Sequence, residues 1–247
     1  MSDRPRLYSD LAGWFHLLTA PEDYAEEAAT YRRIIDEFVK RPVNEVLELG
    51  SGGGNNASHL KAHYSLTLTD LSPEMIAISE ELNPECEHIV GDMRSLRLGR
   101  DFDVVFAHDA VSYLLTEVDV RAAAETAYVH CRAGGVAIFI PDDTAEDFAP
   151  DLDDGGHDGD DGRGLRYLFW SGALDEDTHQ YVSDAAYLLR STDGSVQVIH
   201  DRHHLAAHPR ATWLIALQDA GFEAHMVPWE HSEIDGEPMV LFVGIRA

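Results

Sequence analysis

The sequence predicts an α/β fold in which a mostly parallel β-sheet is covered on both faces by helices and interrupted by an antiparallel β segment. Between residues 45 and 140, short apolar runs alternate with amphipathic stretches, which is typical of strand–helix–strand units. One of these runs leads directly into a glycine-rich turn at residues 50–54. After Pro141, apolar runs follow one another with turns between them, as in an antiparallel sheet.

Residues 1–44 are predicted to form an N-terminal helical cap, because apolar residues recur every three or four positions over 24–39 before Pro42 ends the helix. The next helices are expected near 55–63, 73–82 and 117–130. Ser72 and Pro73 are suited to the N-cap and the first position of the second of these. Strands are expected at 45–49, 66–69, 88–90, 102–107 and 135–140.

Residues 142–205 are predicted to form an acidic loop and an antiparallel β insertion that acts as a lid for a small substrate over the carboxyl edge of the sheet. From Asp142 to Asp161, ten of twenty residues are acidic and none is basic, which favours a mobile loop. Strands are then expected at 165–170, 179–190 and 195–205. A helix near 210–220 and strands at 222–227 and 239–245 return to the core, so the core comprises residues 45–141 and 206–247.

The chain has 247 residues, 45 of them Asp or Glu and 18 Lys or Arg, for a net charge of −27. Such a surface repels phosphate backbones, so a nucleic-acid partner is not expected. A membrane partner is not expected either, since no apolar run approaches the roughly 20 residues that cross a bilayer. The first residues lack the apolar stretch of a secretory signal and only two cysteines are present, which predicts a cytoplasmic protein. The oligomeric state stays open, a homodimer included.

The glycine turn is the most informative local feature. The apolar strand Val46–Leu49 ends in Gly50-Ser51-Gly52-Gly53-Gly54, and such glycines let a ligand lie close to the backbone. A phosphate-binding loop is excluded, because no Gly-Lys-Ser/Thr follows. A dinucleotide fingerprint is also incomplete, since Asn55 occupies the place of its third glycine.

Acidic residues close the next two predicted strands. Asp70 ends the second strand, where a carboxylate can accept both hydroxyls of a ribose; a helix cap or turn is the alternative role. Asp92 and Met93 follow the third strand, where they could meet the amine and ring edge of an adenine. Together with the glycine turn, these positions favour an adenosine-containing ligand.

Five ordered motifs resemble those of class I S-adenosylmethionine-dependent methyltransferases: VLELGSGGG, the strand-end Asp70, GDMRSL, FDVVFAHDAVSYL and RAGGVAIFI. The resemblance implies a Rossmann-like class I methyltransferase fold, with seven strands of which the last is antiparallel. It implies S-adenosyl-L-methionine as cofactor and S-adenosyl-L-homocysteine as product. The cofactor-binding residues that it implies are Glu48, Gly50, Ser51, Gly52, Asp70, Leu71, Met75, Asp92, Met93 and Ala107.

Within that assignment, the resemblance places Gly50, Ser51 and Gly52 beside the methionine moiety and Asp70 on the ribose. Asp92 and Met93 would contact the adenine. Leu71 and Met75 would pack on the nucleoside.

A narrower resemblance concerns the two ends of the chain. The opening, with Tyr8, Trp14 and Tyr24, and the late stretch 187–213 are similar to small-molecule methyltransferases that dimethylate the amine of nucleotide-linked amino sugars. This implies that the N-terminal helix caps the cofactor, with Tyr24 near its methionine part, and that Tyr8 and Trp14 belong to the substrate site. The inserted strands would wall the acceptor pocket. The acidic loop has no counterpart in that group.

Methyl transfer from a sulfonium requires alignment of the reactants, exclusion of water and a proton acceptor, without a nucleophilic side chain or a metal. His108, after the fourth strand, is the candidate base, since its ordinary pKa suits proton acceptance near neutrality; packing beside the cofactor is its alternative role. Asp109 could attract an ammonium acceptor or cap a turn. Tyr113 could line the acceptor pocket or belong to the core. His200, His203 and His204 offer no three-ligand metal set on a strand.

The sequence thus predicts methyl transfer to a small-molecule acceptor, an amine nitrogen such as that of an amino sugar. The alternatives are a small-molecule O-methyltransferase and a non-catalytic S-adenosylmethionine-binding module. A nicotinamide oxidoreductase is disfavoured by Asn55 and the GDMRSL segment. Methylation of nucleic acid is disfavoured by the charge and by the lack of an Asn/Asp-Pro-Pro-aromatic run after the fourth strand.

Overall fold

Two β-sheets and six α-helices make up the chain in the computed structural model, which describes residues 4–232 and 238–247. The α-helices are Phe15–Leu18 (α1), Ala25–Phe38 (α2), Asn55–Leu60 (α3), Pro73–Leu82 (α4), Glu117–His130 (α5) and Arg210–Ala220 (α6). The strands are Glu45–Leu49 (β1), Ser65–Asp70 (β2), Glu87–Val90 (β3), Phe102–His108 (β4), Cys131–Ile140 (β5), Leu152–Gly155 (β6), Gly164–Ser171 (β7), Gln180–Arg190 (β8), Val196–Ala206 (β9), Glu223–Trp229 (β10) and Met239–Ile245 (β11). Four 3-10 helices lie at Arg6–Tyr8, Ala12–Trp14, Pro21–Tyr24 and Ala110–Tyr113.

The larger sheet has seven strands in the order β10-β11-β5-β4-β1-β2-β3. Strand β11 runs antiparallel to both of its neighbours, whereas the pairs among β1–β5 are parallel. The predicted α/β fold, with an antiparallel last strand, is confirmed. Because β1, β2 and β4 are parallel, their carboxyl ends meet at one edge, where open α/β sheets bind ligands.

Apolar clusters fill both faces of this sheet. On one face, α5 and α6 pack against β4, β5 and β11, and the Trp213 ring stacks on Phe242 with centroids 5.7 Å apart. On the other face, α2 and α3 pack with Tyr31 fully buried between Phe106 and Trp229. The carboxyl edge is therefore held rigidly from both sides. None of the helices in the described ranges combines the length and apolar composition needed to cross a membrane.

The smaller sheet is antiparallel, in the order β6-β7-β8-β9, and it packs against the N-terminal segment rather than against the larger sheet's helices. Leu7 and Leu11 lie in one apolar cluster with Leu165 and Tyr187. The Leu7 N–H also donates to the Asp201 carboxylate on β9 at 3.0 Å. The N-terminal segment and the small sheet thus form one wall.

The prediction of an irregular loop over 142–161 is wrong for residues 152–155, which form β6. Strand β6 pairs with β7 in an antiparallel register that places Asp153 opposite Phe169. It is an edge strand, so its acidic side chains can stay solvated while its backbone pairs on one side. The acidic composition indicated a loop because composition carries no information about backbone pairing with a partner strand.

Asp103 ties the start of β1 to β4. Its side chain is only 1% exposed, and it accepts hydrogen bonds from the backbone N–H groups of Asn44 and Glu45 at 2.8 and 2.9 Å. It also forms ion pairs with Arg41 and Arg132. Burial alone would raise its pKa, but the Arg41 guanidinium and the backbone donors hold the pKa of Asp103 below its usual value.

We expect Asp103→Ala to lower the free energy of unfolding by about 3 kcal/mol, because two backbone donors and two guanidinium groups lose a buried partner. The matched control is Asp101→Ala, whose exposed side chain lies 3.9 Å from Arg132; it should cost less than about 0.5 kcal/mol. Urea unfolding followed by circular dichroism measures both. Equal effects of the two substitutions would contradict a structural role for Asp103.

Candidate active site

A cavity of about 640 Å³ opens at the carboxyl edge of the larger sheet. One part, which we term the turn side, is formed by Glu48, residues 50–52, residues 70–72 and residues 91–94. The other, the insertion side, is formed by Tyr8, Asp109, Tyr113, Asp142, Asp153, Tyr167, Phe169, Ser171, Ser183 and His203. The cavity therefore joins the glycine turn to the small antiparallel sheet.

The glycine turn has a backbone that other residues could not adopt easily. Gly50 and Gly52 have φ angles of 73° and 52°. A Cβ atom on Gly50 would lie 2.5 Å from the Cβ of Ala110. The N–H groups of Gly50 and Ser51 both donate to the carbonyl of Thr69, at 2.8 and 2.9 Å. The turn is thus fixed to β2 and leaves an open floor for a ligand.

Asp70 lies at the end of β2 and lines the turn side. One carboxylate oxygen accepts from the Gly52 N–H at 2.9 Å and the other accepts from the Ser72 N–H at 2.8 Å. Burial raises its pKa, while these two donors oppose the shift. Each oxygen keeps a further lone pair, so the carboxylate can accept two hydroxyl groups of one sugar.

Four buried polar side-chain atoms around the turn find no hydrogen-bond partner within the described residues: Glu48 Oε2, Ser51 Oγ, Asn55 Oδ1 and Asn56 Oδ1. All four side chains line the cavity. Buried polar atoms normally have hydrogen-bond partners, so four unpaired ones in residues that line the cavity favour a polar ligand there. Burial, with the Asp70 charge adding to it, raises the pKa of Glu48 to about 8. These residues fit the methionine end of S-adenosylmethionine, whose ammonium and carboxylate need hydrogen-bonding partners.

Asp92 and Met93, which follow β3, and Leu71, which follows β2, line the turn side beside Asp70. Asp92 is not isolated, because its carboxylate pairs with the Arg94 guanidinium at 2.7 Å. Arg94 in turn pairs with Asp119 of α5 at 3.0 Å. The Arg94 bridge was not foreseen from the sequence; it anchors the segment after β3 to α5.

Three residues expected at the site do not line the cavity. Met75 is fully buried, and its methyl group lies beneath Gly52. Ala107 belongs to the apolar cluster under α5. Trp14 packs in the N-terminal cluster, with the Arg163 guanidinium over its ring at 5.0 Å. Tyr24, by contrast, lines the cavity and meets His108 edge to face.

His108 lies in the cavity wall with both ring nitrogens engaged. Nε2 is 2.8 Å from Asp109 Oδ1 and 3.3 Å from Glu27 Oε2, and Nδ1 is 3.1 Å from the Asn56 amide. Burial lowers its pKa, although Glu27 opposes the shift. A neutral ring that accepts from Asn56 carries its proton on Nε2 and donates it to a carboxylate. This arrangement leaves no free lone pair for an acceptor's proton.

Two carboxyl groups meet beside His108. Asp109 and Asp142 share a hydrogen bond, and the Ser112 hydroxyl donates to Asp142 at 3.0 Å. Enclosure by the protein raises the pKa of Asp109 to about 7, and Glu27 adds to the shift. Enclosure and the neighbouring Asp109 raise the pKa of Asp142 well above its usual range. Like charges this close cannot both ionise easily, so the pair holds a proton near neutrality.

A chain of hydroxyl and imidazole groups lines the rest of the insertion side. Tyr113 lies 2.6 Å from His203 Nδ1 and donates to the Tyr8 hydroxyl at 3.3 Å. His203 also contacts the Tyr187 hydroxyl at 3.2 Å and lies 3.6 Å from Asp201. No group of three His, Cys, Asp or Glu side chains within residues 4–232 and 238–247 is arranged to hold a metal ion.

Asp142, Asn56, Glu27 and His203 are the site residues that sequence reasoning missed. Asp142 falls within the acidic loop that the sequence predicts, yet it follows Pro141 at the carboxyl end of β5, a position that points to the site. His203 had been grouped with His200 and His204. His203 is buried, whereas His200 and His204 are exposed on the opposite face of β9. Which face of the strand is buried depends on tertiary packing.

Comparison with known proteins agrees with this architecture. Residues 46–135 match the family model described as a methyltransferase domain. A dTDP-3-amino-3,6-dideoxy-alpha-D-glucopyranose N,N-dimethyltransferase of Streptomyces fradiae is 25% identical over 84% of this chain and 80% of its own length.

Two solved structures share the fold. DesVI of Streptomyces venezuelae superposes with a TM-score of 0.83 at 24% identity, covering 97% of this chain and 98% of its own. CalS10, an amino pentose methyltransferase from Micromonospora echinaspora with S-adenosylmethionine bound, superposes with a TM-score of 0.74 at 23% identity, covering 91% and 92%.

Residues 46–135 thus carry a methyltransferase domain, and the chain has the Rossmann-like fold of the class I S-adenosylmethionine-dependent methyltransferases, which it resembles. Within this class it resembles the sugar N,N-dimethyltransferases. It is an enzyme, and its cofactor is S-adenosylmethionine, which leaves as S-adenosylhomocysteine.

We expect Asp70→Asn to weaken S-adenosylhomocysteine binding at least several-fold, because a charged acceptor for two hydroxyl groups becomes neutral and loses one acceptor oxygen. Isothermal titration calorimetry measures the dissociation constant. Glu74→Gln, on the exposed first turn of α4, is the control and should bind normally. Unchanged affinity of the Asp70 variant would refute a ribose-binding role.

The paired carboxyls also predict a pH dependence of stability. The folded protein keeps the Asp109 proton up to about pH 7, whereas the unfolded chain releases it near pH 4, so stability falls as pH rises through this window. The free energy of unfolding of Asp109→Asn, relative to that of wild type, should therefore be about 1 kcal/mol higher at pH 8 than at pH 5. This figure is reduced for the solvent in the open cavity. Asn tolerates the positive φ of this residue.

Urea unfolding of the ligand-free protein at both pH values measures this difference. Asp154→Asn, a neutralisation outside the cavity on β6, should follow the wild-type pH dependence. The same gain in both variants would mean that net charge, and not the Asp109 pair, sets the dependence.

Proposed function

We propose that the protein transfers a methyl group from S-adenosylmethionine to an amine nitrogen of a small molecule, an amino sugar. The observation that carries this proposal is the Asp109–Asp142 pair, which opens into the cavity beside the glycine turn. An amine acceptor arrives at neutral pH as an ammonium ion, which a carboxylate pair attracts. The names of the relatives point the same way, since one is an amino-sugar N,N-dimethyltransferase and another an amino pentose methyltransferase.

We assign the turn side to the cofactor. Asp70 would accept the ribose hydroxyls, Asp92 and Met93 would flank the adenine, and Leu71 would cover the nucleoside. Gly50, Ser51 and Gly52, with Glu48 and Tyr24, would hold the methionine part. When bound, the cofactor supplies an electrophilic methyl group at its sulfonium, and the protein directs that methyl towards Asp109 and Tyr113.

The protein's chemical task is to take a proton from the acceptor nitrogen. In the proposed reaction ionised Asp109 would first take the ammonium proton, which frees the nitrogen lone pair. That lone pair would then bond to the methyl carbon, while the carbon–sulfur bond breaks and its electron pair stays on sulfur. A group with pKa about 7 is suited to this transfer at neutral pH. His108, whose nitrogens are both engaged, would orient Asp109 through its 2.8 Å contact. We therefore propose Asp109 as base and His108 as a positioning residue.

O-methylation of a carboxylate is disfavoured by the same pair, because an anionic acceptor would lie beside two carboxyl groups within the cavity. A hydroxyl acceptor would use Asp109 in the same way as an amine. The acceptor panel must therefore contain hydroxyl compounds as well as amines.

The direct test is incubation with isotopically labelled S-adenosylmethionine and a panel of amino sugars, simple amines, phenols and carboxylates, read by mass spectrometry. We expect label on nitrogen of an amino sugar, with no transfer to carboxylates. Transfer to oxygen alone would replace this proposal by O-methylation.

Asp109→Asn should lower kcat by about 100-fold or more, because a general base contributes this much to such reactions. It should leave S-adenosylhomocysteine affinity within about twofold. Asp143→Asn is the control, since this neighbouring carboxyl does not line the cavity. Steady-state kinetics over pH 6–9 measures both. An Asp109 variant with wild-type kcat and an unchanged pH profile would exclude the base role.

A further inference from the structure

We propose that the acceptor is a phosphate-free amino sugar, bound as a cation, and not a sugar carried on a nucleoside diphosphate. This inference rests on the proposed function and narrows it. It separates the protein from its Streptomyces fradiae relative, whose name specifies a dTDP-linked sugar. The argument comes from the distribution of charge around the cavity.

Three acids from three different segments face the insertion side. Asp109 follows β4, Asp142 follows β5 and Asp153 lies on β6. Asp153 is opposite Phe169 in the β6–β7 register, and both residues line the cavity. Residues directly opposite in an antiparallel pair share one face of the sheet, so the negative charge and the ring form one surface.

The arginines nearest to this surface are already paired. Within residues 4–232 and 238–247, the arginines that line the cavity are Arg4 and Arg94. Arg4 lies by Leu71 and Glu74, and Arg94 pairs with Asp92, so both lie at the turn side. Each arginine of the small sheet and its flanks has an acidic partner: Arg163 with Asp161, Arg166 and Arg190 with Asp158, Arg202 with Asp184, and Arg210 with Asp147. Residues 1–3 and 233–237 contain no lysine or arginine in the sequence.

A diphosphate in this part of the cavity would meet carboxylates where recognition of phosphate normally uses arginine, lysine or backbone N–H groups. Like charges brought together across an interface cost several kcal/mol and reject the wrong partner. An ammonium gains from the same arrangement. The hydroxyls of Tyr8, Ser171 and Ser183 and the ring of Phe169 complete a surface suited to a hydroxylated sugar ring.

The test compares matched acceptors: the methyl glycosides of 3-amino and 4-amino hexoses, and the same amino sugars as dTDP esters. Methyl transfer is quantified by mass spectrometry, and S-adenosylhomocysteine binding confirms a functional cofactor site. We expect kcat/KM at least about tenfold higher for the glycosides, a difference of about 1.4 kcal/mol. Equal values, or a preference for the nucleotides, would overturn the inference while leaving amine methylation intact.

If neither series is methylated, the proposed amino-sugar function fails. The exclusion of a nucleoside diphosphate is then tested separately, by measuring whether dTDP binds. Titration of dTDP into the complex with S-adenosylhomocysteine should give no binding up to about 1 mM, whereas a dissociation constant below that value would overturn the inference.

Charge reversal on β6 supplies a second test. Asp153→Lys should raise the ratio of kcat/KM for the dTDP esters to kcat/KM for the glycosides by about tenfold, because a cation replaces an acid on the insertion side of the cavity. Asp154→Lys, the adjacent residue, does not line the cavity and should leave this ratio within about twofold. Both positions are exposed on an edge strand, and circular dichroism confirms folding. An unchanged ratio in Asp153→Lys, or the same shift in both variants, would count against the inference.

Discussion

The hydrogen bonds from the Gly50 and Ser51 N–H groups to the Thr69 carbonyl are the constraint on which the site depends. They fix the end of β1 against the end of β2, and the Asp70 carboxylate reinforces them by binding the Gly52 N–H. The neighbouring loop can then approach closely, since Ala110 packs where a side chain on Gly50 would lie. This packing of Ala110 against Gly50 places the adjacent Asp109 beside the glycine turn. The proposed cofactor site and the proposed acceptor site therefore depend on the same backbone geometry.

The insertion side of the cavity is built differently. It is joined to the core through the N-terminal segment. In this segment the Leu7 N–H donates to the Asp201 carboxylate on β9, and the Tyr8 backbone carbonyl accepts from the Ser72 hydroxyl at 2.7 Å. Ser72 is also the N-cap of α4. The insertion side is therefore connected to the turn side through the N-terminal segment and the start of α4.

Much of the fold was predictable because residues 45–140 combine local signals that agree: the strand periodicity, the Ser72–Pro73 helix start and the glycine turn. Strand β6 was not predictable, because its acidic composition is typical of a loop. It is a strand because its backbone pairs with β7, which the local sequence does not reveal. The site divides in the same way. Asp70 and Asp109 follow strands in the sequence, whereas Asp142 reaches Asp109 only through the parallel pairing of β4 and β5. Trp14 was placed at the site by resemblance, but its ring packs under Arg163.

The segment from Arg4 to Tyr24 covers both sides of the cavity, through Tyr8 on the insertion side and through Phe15, which packs against Gly53. The proposed donor and acceptor sites consequently lie under one roof, so a displacement of this single segment would open both of them at once.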